Sequence, residues 1–229
     1  MAYKLLSPAA LSMKEATRVC NALALMQVVS ISSTSNQCQN VDTNNRLKFI
    51  HFTAKLPVYI YPFLNTTEKA AKHFDYLRLT SLGVIGALVK HLENFDFALT
   101  QVEDANTPEI IHFLLDTEVL PLCLRCIEVG SDLAKTVAAF IVSKILLYDE
   151  GQRYCGTFPE RFFSITKVLE KTVDEFHGKP PSQLLKHILK CFLRLSEVSR
   201  ACDALVKCYP ARLRDPAYLN FACVRYLSE

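Results

Sequence analysis

The sequence predicts an all-α fold in which helices repeat along the chain. Glycine is scarce, with six among 229 residues, and no stretch alternates apolar and polar residues as a half-buried strand does. The stretch "YLRLTSLGVIGALVK", residues 76–90, has no polar side chain from Leu82 to Val89 and contains two glycines. An apolar surface all round stabilises a helix only where neighbouring elements cover nearly every side of it. This segment is therefore predicted to be a core helix within a stack.

The other predicted elements are also helices. The stretch "LPVYIYPFL" is apolar enough for a strand, but Pro57 and Pro62 argue against a central strand there. Helical periodicity marks the segments 17–29, 110–129, 131–149, 159–176, 182–198 and 200–209.

Chemical signals mark several helix boundaries. Pro121 is expected to split the segment 110–129 into two helices. Gly130 is expected to end the second of them in a left-handed conformation, and Ser131 to cap the next helix. The run Pro180-Pro181-Ser182 then precedes another start.

Four segments resemble one another and predict a repeat. Each has an early basic residue followed by about ten small and apolar positions, which aligns Arg18, Arg78, Lys135 and Lys186 at separations of 60, 57 and 51 residues. Armadillo-type repeats span about 40–47 residues, so the alignment requires insertions at about 30–45 and 91–108. The fold prediction is an armadillo-type helical-repeat solenoid that forms a single domain over residues 1–229.

Composition limits the classes of function. Half of the residues are hydrophobic, and 26 basic against 23 acidic residues leave a net charge of +3, too little to indicate nucleic-acid binding from overall charge. The apolar runs stop at about eight residues, far short of a membrane span, and the start shows no secretory signal. A cytoplasmic location is expected, with the nucleus as a second one. The nine cysteines are then expected to be reduced.

Signatures of catalysis are absent from the sequence, so neither an enzyme nor a cofactor is expected. Cys123-Leu-Arg-Cys126 has the spacing of a metal or redox pair, but it lies in predicted helix and no second pair follows. Two core thiols one turn apart is the favoured interpretation, with metal or redox use as the alternative. The six histidines are scattered, and no metal site is predicted.

One charged pattern admits two interpretations. Lys186, Lys190 and Arg194 recur every four residues while the apolar residues of the same helix turn away, which forms a basic ridge. The ridge is either a solvated outer face or a contact for an acidic partner or a phosphate backbone.

Several stretches together resemble a known family. "RVCNALAL", "YPFLNTTEK", "YLRLTSLGVIGALVK", "TEVLPLCLRCIEVGSDLAKTVAAFIVSKILL" and "LLKHILKCFLRLS" resemble the "required for cell differentiation" family, the Caf-forty-type subunit of the CCR–NOT mRNA deadenylase complex. The likeness covers roughly residues 7 to 215. It implies a non-catalytic armadillo-repeat adaptor that docks on the NOT scaffold subunit and captures short peptide motifs of RNA-associated regulators, directing deadenylation, mRNA decay and translational repression.

The resemblance also implies binding residues. The family's pockets for partner tryptophans correspond here to Arg161, Arg200 and Ala204. Phe158 is a candidate for a further pocket wall, because "GTFPERF" is one residue longer than the family pattern. The family's groove for helical peptides corresponds to Tyr76, Gly83, Thr136 and Val137, although Gly83 can equally serve close core packing.

The chain also departs from the family pattern. Against that pattern we expect it to lack the family's N-terminal helices, to contain the two insertions, and to diverge in its tail, residues 216–229. It therefore looks like a truncated, diverged and plant-like member. Two alternatives to the adaptor role follow: direct nucleic-acid binding through the basic ridge, and a diverged paralogue that has lost docking on the complex.

Overall fold

The regular structure of the protein is helical. The computed structural model describes residues 11–32, 57–66, 72–98, 106–177, 180–198, 204–206 and 209–214, and in these ranges no residue is in a β-strand. The α-helices are α1 (Met13–Ser32), α2 (57–64), α3 (Lys72–Ala98), α4 (Asn106–Asp116), α5 (Val119–Val129), α6 (Asp132–Ile145), α7 (Asp149–Thr157), α8 (Pro159–Asp174) and α9 (Ser182–Ser196). A 3₁₀ helix, Ala211–Arg214, follows. The predicted all-α, helical-repeat fold class is confirmed.

The chain divides into two compact units, Met1–Ile141 and Val142–Glu229. α3 continues to Ala98 and α4 begins at Asn106, so most of the second predicted insertion is helical. Most of the first insertion and the whole tail 216–229 lie outside the described residues. The single domain, the insertions and the divergent tail stay predictions.

A capping box starts α1 four residues before the predicted boundary. Ser12 donates both its backbone N–H and its hydroxyl to Oε2 of Glu15, at 2.8 and 2.6 Å, and Glu15 N–H donates back to Ser12 Oγ at 3.4 Å. These bonds satisfy N–H groups that have no partner within the helix. The same hydrogen bonds from Ser12 lower the pKa of the Glu15 carboxyl.

The apolar stretch of α3 is a core helix, as predicted. From Ser81 to Val89 every residue except Gly83 is buried, and Leu82, Ile85 and Val89 have no exposed surface. Burial of this kind is the main favourable contribution to folding.

The two glycines of α3 face side chains of neighbouring helices and not a neighbouring backbone. A Cβ on Gly83 would lie 2.8 Å from Oε1 of the Gln27 side chain, and a Cβ on Gly86 would lie 3.7 Å from Cγ1 of Val137. Both nearest groups are side chains, so the helices that flank α3 approach it through their side chains. The space beside Gly86 is large enough for an ordinary van der Waals contact.

The segment 110–129 is split in two as predicted, but not at Pro121. The break falls at Thr117 and Glu118, where Glu118 has a positive φ of 62°. Pro121 lies in the first turn of α5, where the N–H that proline lacks would have no intrahelical partner. Proline therefore fits the start of the second helix and does not cause the break.

Gly130 ends α5 in a conformation that differs from the prediction. Its φ of −76° and ψ of 168° are extended and not left-handed. Glycine is needed there for space, because a Cβ would lie 2.6 Å from the carbonyl oxygen of Cys126 and 2.9 Å from Cβ of Ala134. The predicted cap on α6 is present, since Ala134 N–H donates to Ser131 Oγ at 3.4 Å.

α7 was not predicted from the sequence. It is a nine-residue helix with two glycines, and its buried residues are Gly151 and Cys155. A Cβ on Gly151 would lie 2.1 Å from the carbonyl oxygen of Ile145, so only glycine fits where α7 turns back on the end of α6. α6 ends at Ile145, four residues before the predicted end at 149.

In the first unit, α3 contacts α1 and also the start of α6, both close to the predicted repeat spacing. Thr80 Oγ1 donates to Cys20 Sγ at 3.4 Å, and Asp75 Oδ1 accepts from Ser131 N–H at 3.1 Å, across 60 and 56 residues. The alignment of basic residues predicted 60 and 57. α3 and α6 run in the same direction, since the start of α3 meets Ser131 and Gly86 faces Val137.

In the second unit, α9 lies beside the end of α6 with a different offset. Ser143 Oγ and His187 Nδ1 are 3.4 Å apart, and Arg194 Nη2 donates to the Leu147 carbonyl at 2.7 Å, across 44 and 47 residues. The alignment of Lys135 with Lys186 predicted a separation of 51 residues. The fourth segment is therefore displaced along its neighbour by one to two helical turns.

Candidate functional site

An exposed arginine–aromatic cluster forms where α7 meets α8. The guanidinium carbon of Arg161 lies 3.6 Å from the ring centroid of Tyr154 and 4.7 Å from that of Phe158. Both distances are within cation–π range. Arg161 Nη1 also donates to the carbonyl oxygen of Tyr154, at 3.4 Å. Phe158 is 51% exposed, so the cluster presents a ring and a stacked cation to the surface.

Local sequence builds this cluster. Phe158 is the one residue between α7 and α8, and Pro159 after it favours the extended backbone that Phe158 adopts, with φ −126° and ψ 120°. Arg161 N–H then donates to the Phe158 carbonyl at 3.0 Å, which fixes the arginine one turn beyond the phenylalanine. Phe163, 46% exposed and edge-on to buried Phe162, extends the apolar surface.

The structure brings two of the four predicted tryptophan-pocket residues together, Arg161 and Phe158. Ala204 is half-buried in a short helical stretch, 204–206, and Arg200 lies outside the described residues. Sequence reasoning missed Tyr154, which is the aromatic ring nearest to Arg161. The sequence does place Tyr154 seven residues before Arg161, but this spacing predicts a contact only once the end of α7 is known.

The predicted peptide groove falls on the two parallel helices α3 and α6. Tyr76 is 61% exposed on α3, and Thr136 and Val137 are half-buried on α6, where Thr136 Oγ1 donates to the Asp132 carbonyl at 2.7 Å. Gly83 faces Gln27 of α1 and not α6. The exposed side of α3 thus carries Tyr76, and the glycine that faces α6 is Gly86. The groove remains a prediction.

The basic ridge is not a row of three equivalent cations. Lys190 is exposed and Lys186 is half-buried. The guanidinium of Arg194 donates to the carbonyls of Leu146 and Leu147, at 3.4 and 2.7 Å, and pairs with Glu197 at 2.7 Å. Arg194 therefore holds the end of α6 against α9.

The Cys123–Cys126 pair is part of the core. Both side chains are fully buried, and burial raises the pKa of the Cys123 thiol well above its usual range and that of Cys126 to about 12. Thiols of this kind are unreactive and bind metal poorly near neutral pH. Among the described residues no group of three or more His, Cys, Asp or Glu is arranged to hold a metal ion.

None of the described helices combines the length and apolar character that a membrane span requires. The fold and the exposed arginine–aromatic cluster define a helical-repeat protein whose surface is suited to contacts with other proteins.

Comparison with known proteins identifies the family. The sequence profile described as "Cell differentiation family, Rcd1-like" matches residues 1–223, and the chain belongs to this family. It is 45% identical over 217 residues to "Cell differentiation protein rcd1" of Schizosaccharomyces pombe, covering 94% of this chain and 67% of that protein. It is 42% identical over 217 residues to "Protein CAF40" of Saccharomyces cerevisiae, covering 94% of this chain and 51% of that protein. The chain therefore spans about two thirds of the length of the first relative and about half of the length of the second.

Proposed function

We propose that this chain is a non-catalytic adaptor of the CCR–NOT deadenylase complex. In this role it binds the NOT scaffold subunit and captures tryptophan-containing or helical peptide motifs of mRNA regulators. It thereby promotes deadenylation, mRNA decay and translational repression, in the cytoplasm and with the nucleus as a second location. Membership of the Rcd1-like family over nearly the whole chain supports the proposal.

The arginine–aromatic cluster is the observation that supports peptide capture. A partner indole needs a cation or a ring face to stack on. Arg161 supplies the cation, and Tyr154 and Phe158 supply rings whose centroids lie within 4.7 Å of the guanidinium carbon. Rigid aromatic and arginine groups of this kind are typical energetic centres of protein interfaces. The guanidinium donates to the carbonyl of Tyr154 and lies over the rings of Tyr154 and Phe158, so little side-chain entropy remains to be lost on binding.

The test is binding of a fluorescent tryptophan-containing peptide to the full chain. Arg161→Glu should weaken binding about tenfold or more, because it replaces the stacked cation with a carboxylate. Lys167→Glu, on the exposed face of α8, is the matched control and should bind like the parent. Equal affinities for the two variants, both folded, would exclude the cluster as the peptide site.

Direct nucleic-acid binding through the basic ridge is the weaker alternative. The guanidinium of Arg194 donates to backbone carbonyls of the turn after α6, so the ridge offers phosphates fewer than three cations. Phosphate binding scales with the number of cationic contacts, so such a ridge gives a weak site.

A further inference from the structure

The end of α9 contacts one face of α7 in the second unit. Gln152 Nε2 donates to Oε2 of Glu197 at 3.0 Å. A Cβ on Gly156 would lie 3.0 Å from Cγ1 of Val198, so the backbone of α7 approaches the residue that follows Glu197 closely. Gln152 and Gly156 are four residues apart and therefore lie on the same face of α7.

The arginine–aromatic cluster lies on the opposite face of α7. Tyr154 is two residues from both Gln152 and Gly156, which places it about 200° around the helix from each of them. Its ring centroid lies 3.6 Å from the guanidinium carbon of Arg161 on α8. Only two of the nine residues of α7 are buried, so few apolar contacts fix this helix. A sideways movement of α7 away from α9 would therefore change the stacking of Tyr154 on Arg161.

Arg194 fixes the carboxylate that Gln152 contacts. Its guanidinium donates to the carbonyls of Leu146 and Leu147, at 3.4 and 2.7 Å. Nη1 of the same guanidinium lies 3.0 Å from Oε1 and 2.7 Å from Oε2 of Glu197. An isolated surface ion pair contributes little, whereas a pair whose members make several further bonds holds a defined geometry. The turn after α6, the end of α9 and α7 are thus joined through one carboxylate.

We propose that Glu197 is a positioning residue of the peptide site. It holds α7, and through α7 the ring of Tyr154, in the place where that ring stacks on Arg161. Glu197 itself needs no contact with the peptide. The proposal rests on the proposed function, because it concerns the same arginine–aromatic cluster and adds a residue from a third helix that controls its affinity.

The test measures binding of the fluorescent tryptophan-containing peptide to the full chain by fluorescence anisotropy. Glu197→Ala should weaken binding about three- to tenfold, because the link between α7 and α9 is lost. Glu197→Gln keeps an oxygen that accepts from Gln152 and Arg194, so its affinity should stay within about twofold of the parent. Glu15→Ala, the control, removes the carboxylate of the α1 capping box and should bind like the parent. Circular dichroism establishes that the variants are folded.

A double-mutant cycle with Tyr154→Ala shows whether Glu197 acts through the ring. Tyr154→Ala removes the side chain by which α7 stacks on Arg161. In that background Glu197→Ala should cause no further loss of affinity, since the effects of residues that act through one another are not additive. Losses that add in the double variant would overturn the proposal, because Glu197 would then act on the peptide by another route.

A measurement without peptide separates this proposal from the proposed function. The full chain carries 3-fluorotyrosine at position 154, and its ¹⁹F NMR resonance is recorded. Glu197→Ala should shift the resonance and Glu197→Gln should not. An unshifted resonance in Glu197→Ala would overturn the positioning role even if the peptide binds. A shifted resonance in a chain whose parent does not bind the peptide would support the placement of Tyr154 by Glu197 and count against the proposed function.

Discussion

Replacing Gly86 by alanine should stabilise the protein. Gly86 is buried in the middle of α3, where glycine costs about 1 kcal/mol relative to alanine. A Cβ would lie 3.7 Å from Cγ1 of Val137 and 3.8 Å from the ring of Phe140, which is ordinary contact without overlap. Burying one methyl group contributes about 0.8 kcal/mol. The free energy of unfolding should therefore rise by about 1–2 kcal/mol.

Urea unfolding followed by circular dichroism measures this change, and the thermal midpoint should rise by about 2–8 °C. Gly151→Ala is the opposite case, because its Cβ would lie 2.1 Å from the backbone carbonyl oxygen of Ile145. That variant should lose about 3 kcal/mol or more. A Gly86→Ala protein that is less stable than the parent would show that α3 and α6 pack more closely than the structure indicates. It would thereby refute the reasoning.

Two other perturbations give specific expectations. Arg78→Met should cost about 2–4 kcal/mol of stability, because the buried guanidinium donates to the carbonyl and hydroxyl oxygens of Thr66 at 3.1 Å and pairs with Asp75 at 3.5 Å. The same change at exposed Arg18 should alter the free energy of unfolding by less than about 0.5 kcal/mol in urea titrations. His187→Gln should flatten the loss of stability between about pH 6.5 and pH 4. In that range the unfolded chain takes up a proton that the folded histidine, with a pKa of about 4, does not bind. Unfolding curves at several pH values check this, and an unchanged pH dependence would refute it.

The helix boundaries that the sequence predicted best are those with a local chemical cause. α8 and α9 begin at Pro159 and Ser182, as predicted, because a proline at the first position and the Pro180-Pro181 pair restrict the backbone there. The start of α1 was missed although Ser12 and Glu15 form a capping box, a signal that is present in the sequence.

Other features could not be predicted because they depend on tertiary contacts. α7 has no apolar stripe, and its position is set by the fit of Gly151 against the end of α6. Glu118 adopts a positive φ, which carries no signal in a non-glycine residue. Arg78 can be buried because its guanidinium is hydrogen-bonded to Thr66. Hydrophobic periodicity in the sequence assigns every arginine to the surface, so it does not predict this burial.

The candidate site was predicted only in part. Arg161 and Phe158 were identified through the resemblance, and they do lie together. Tyr154 was missed because it lies on α7, whereas Arg161 beside it lies on α8. Sequence periodicity groups residues of one helix and does not show which face of another helix they meet.

Binding of the full chain to the NOT scaffold subunit tests the adaptor role most directly. Purified chain and scaffold should elute together in size-exclusion chromatography, with both proteins in one peak at a constant ratio across it. A chain that is folded by circular dichroism but elutes apart from the scaffold over the same concentration range would contradict the proposed function.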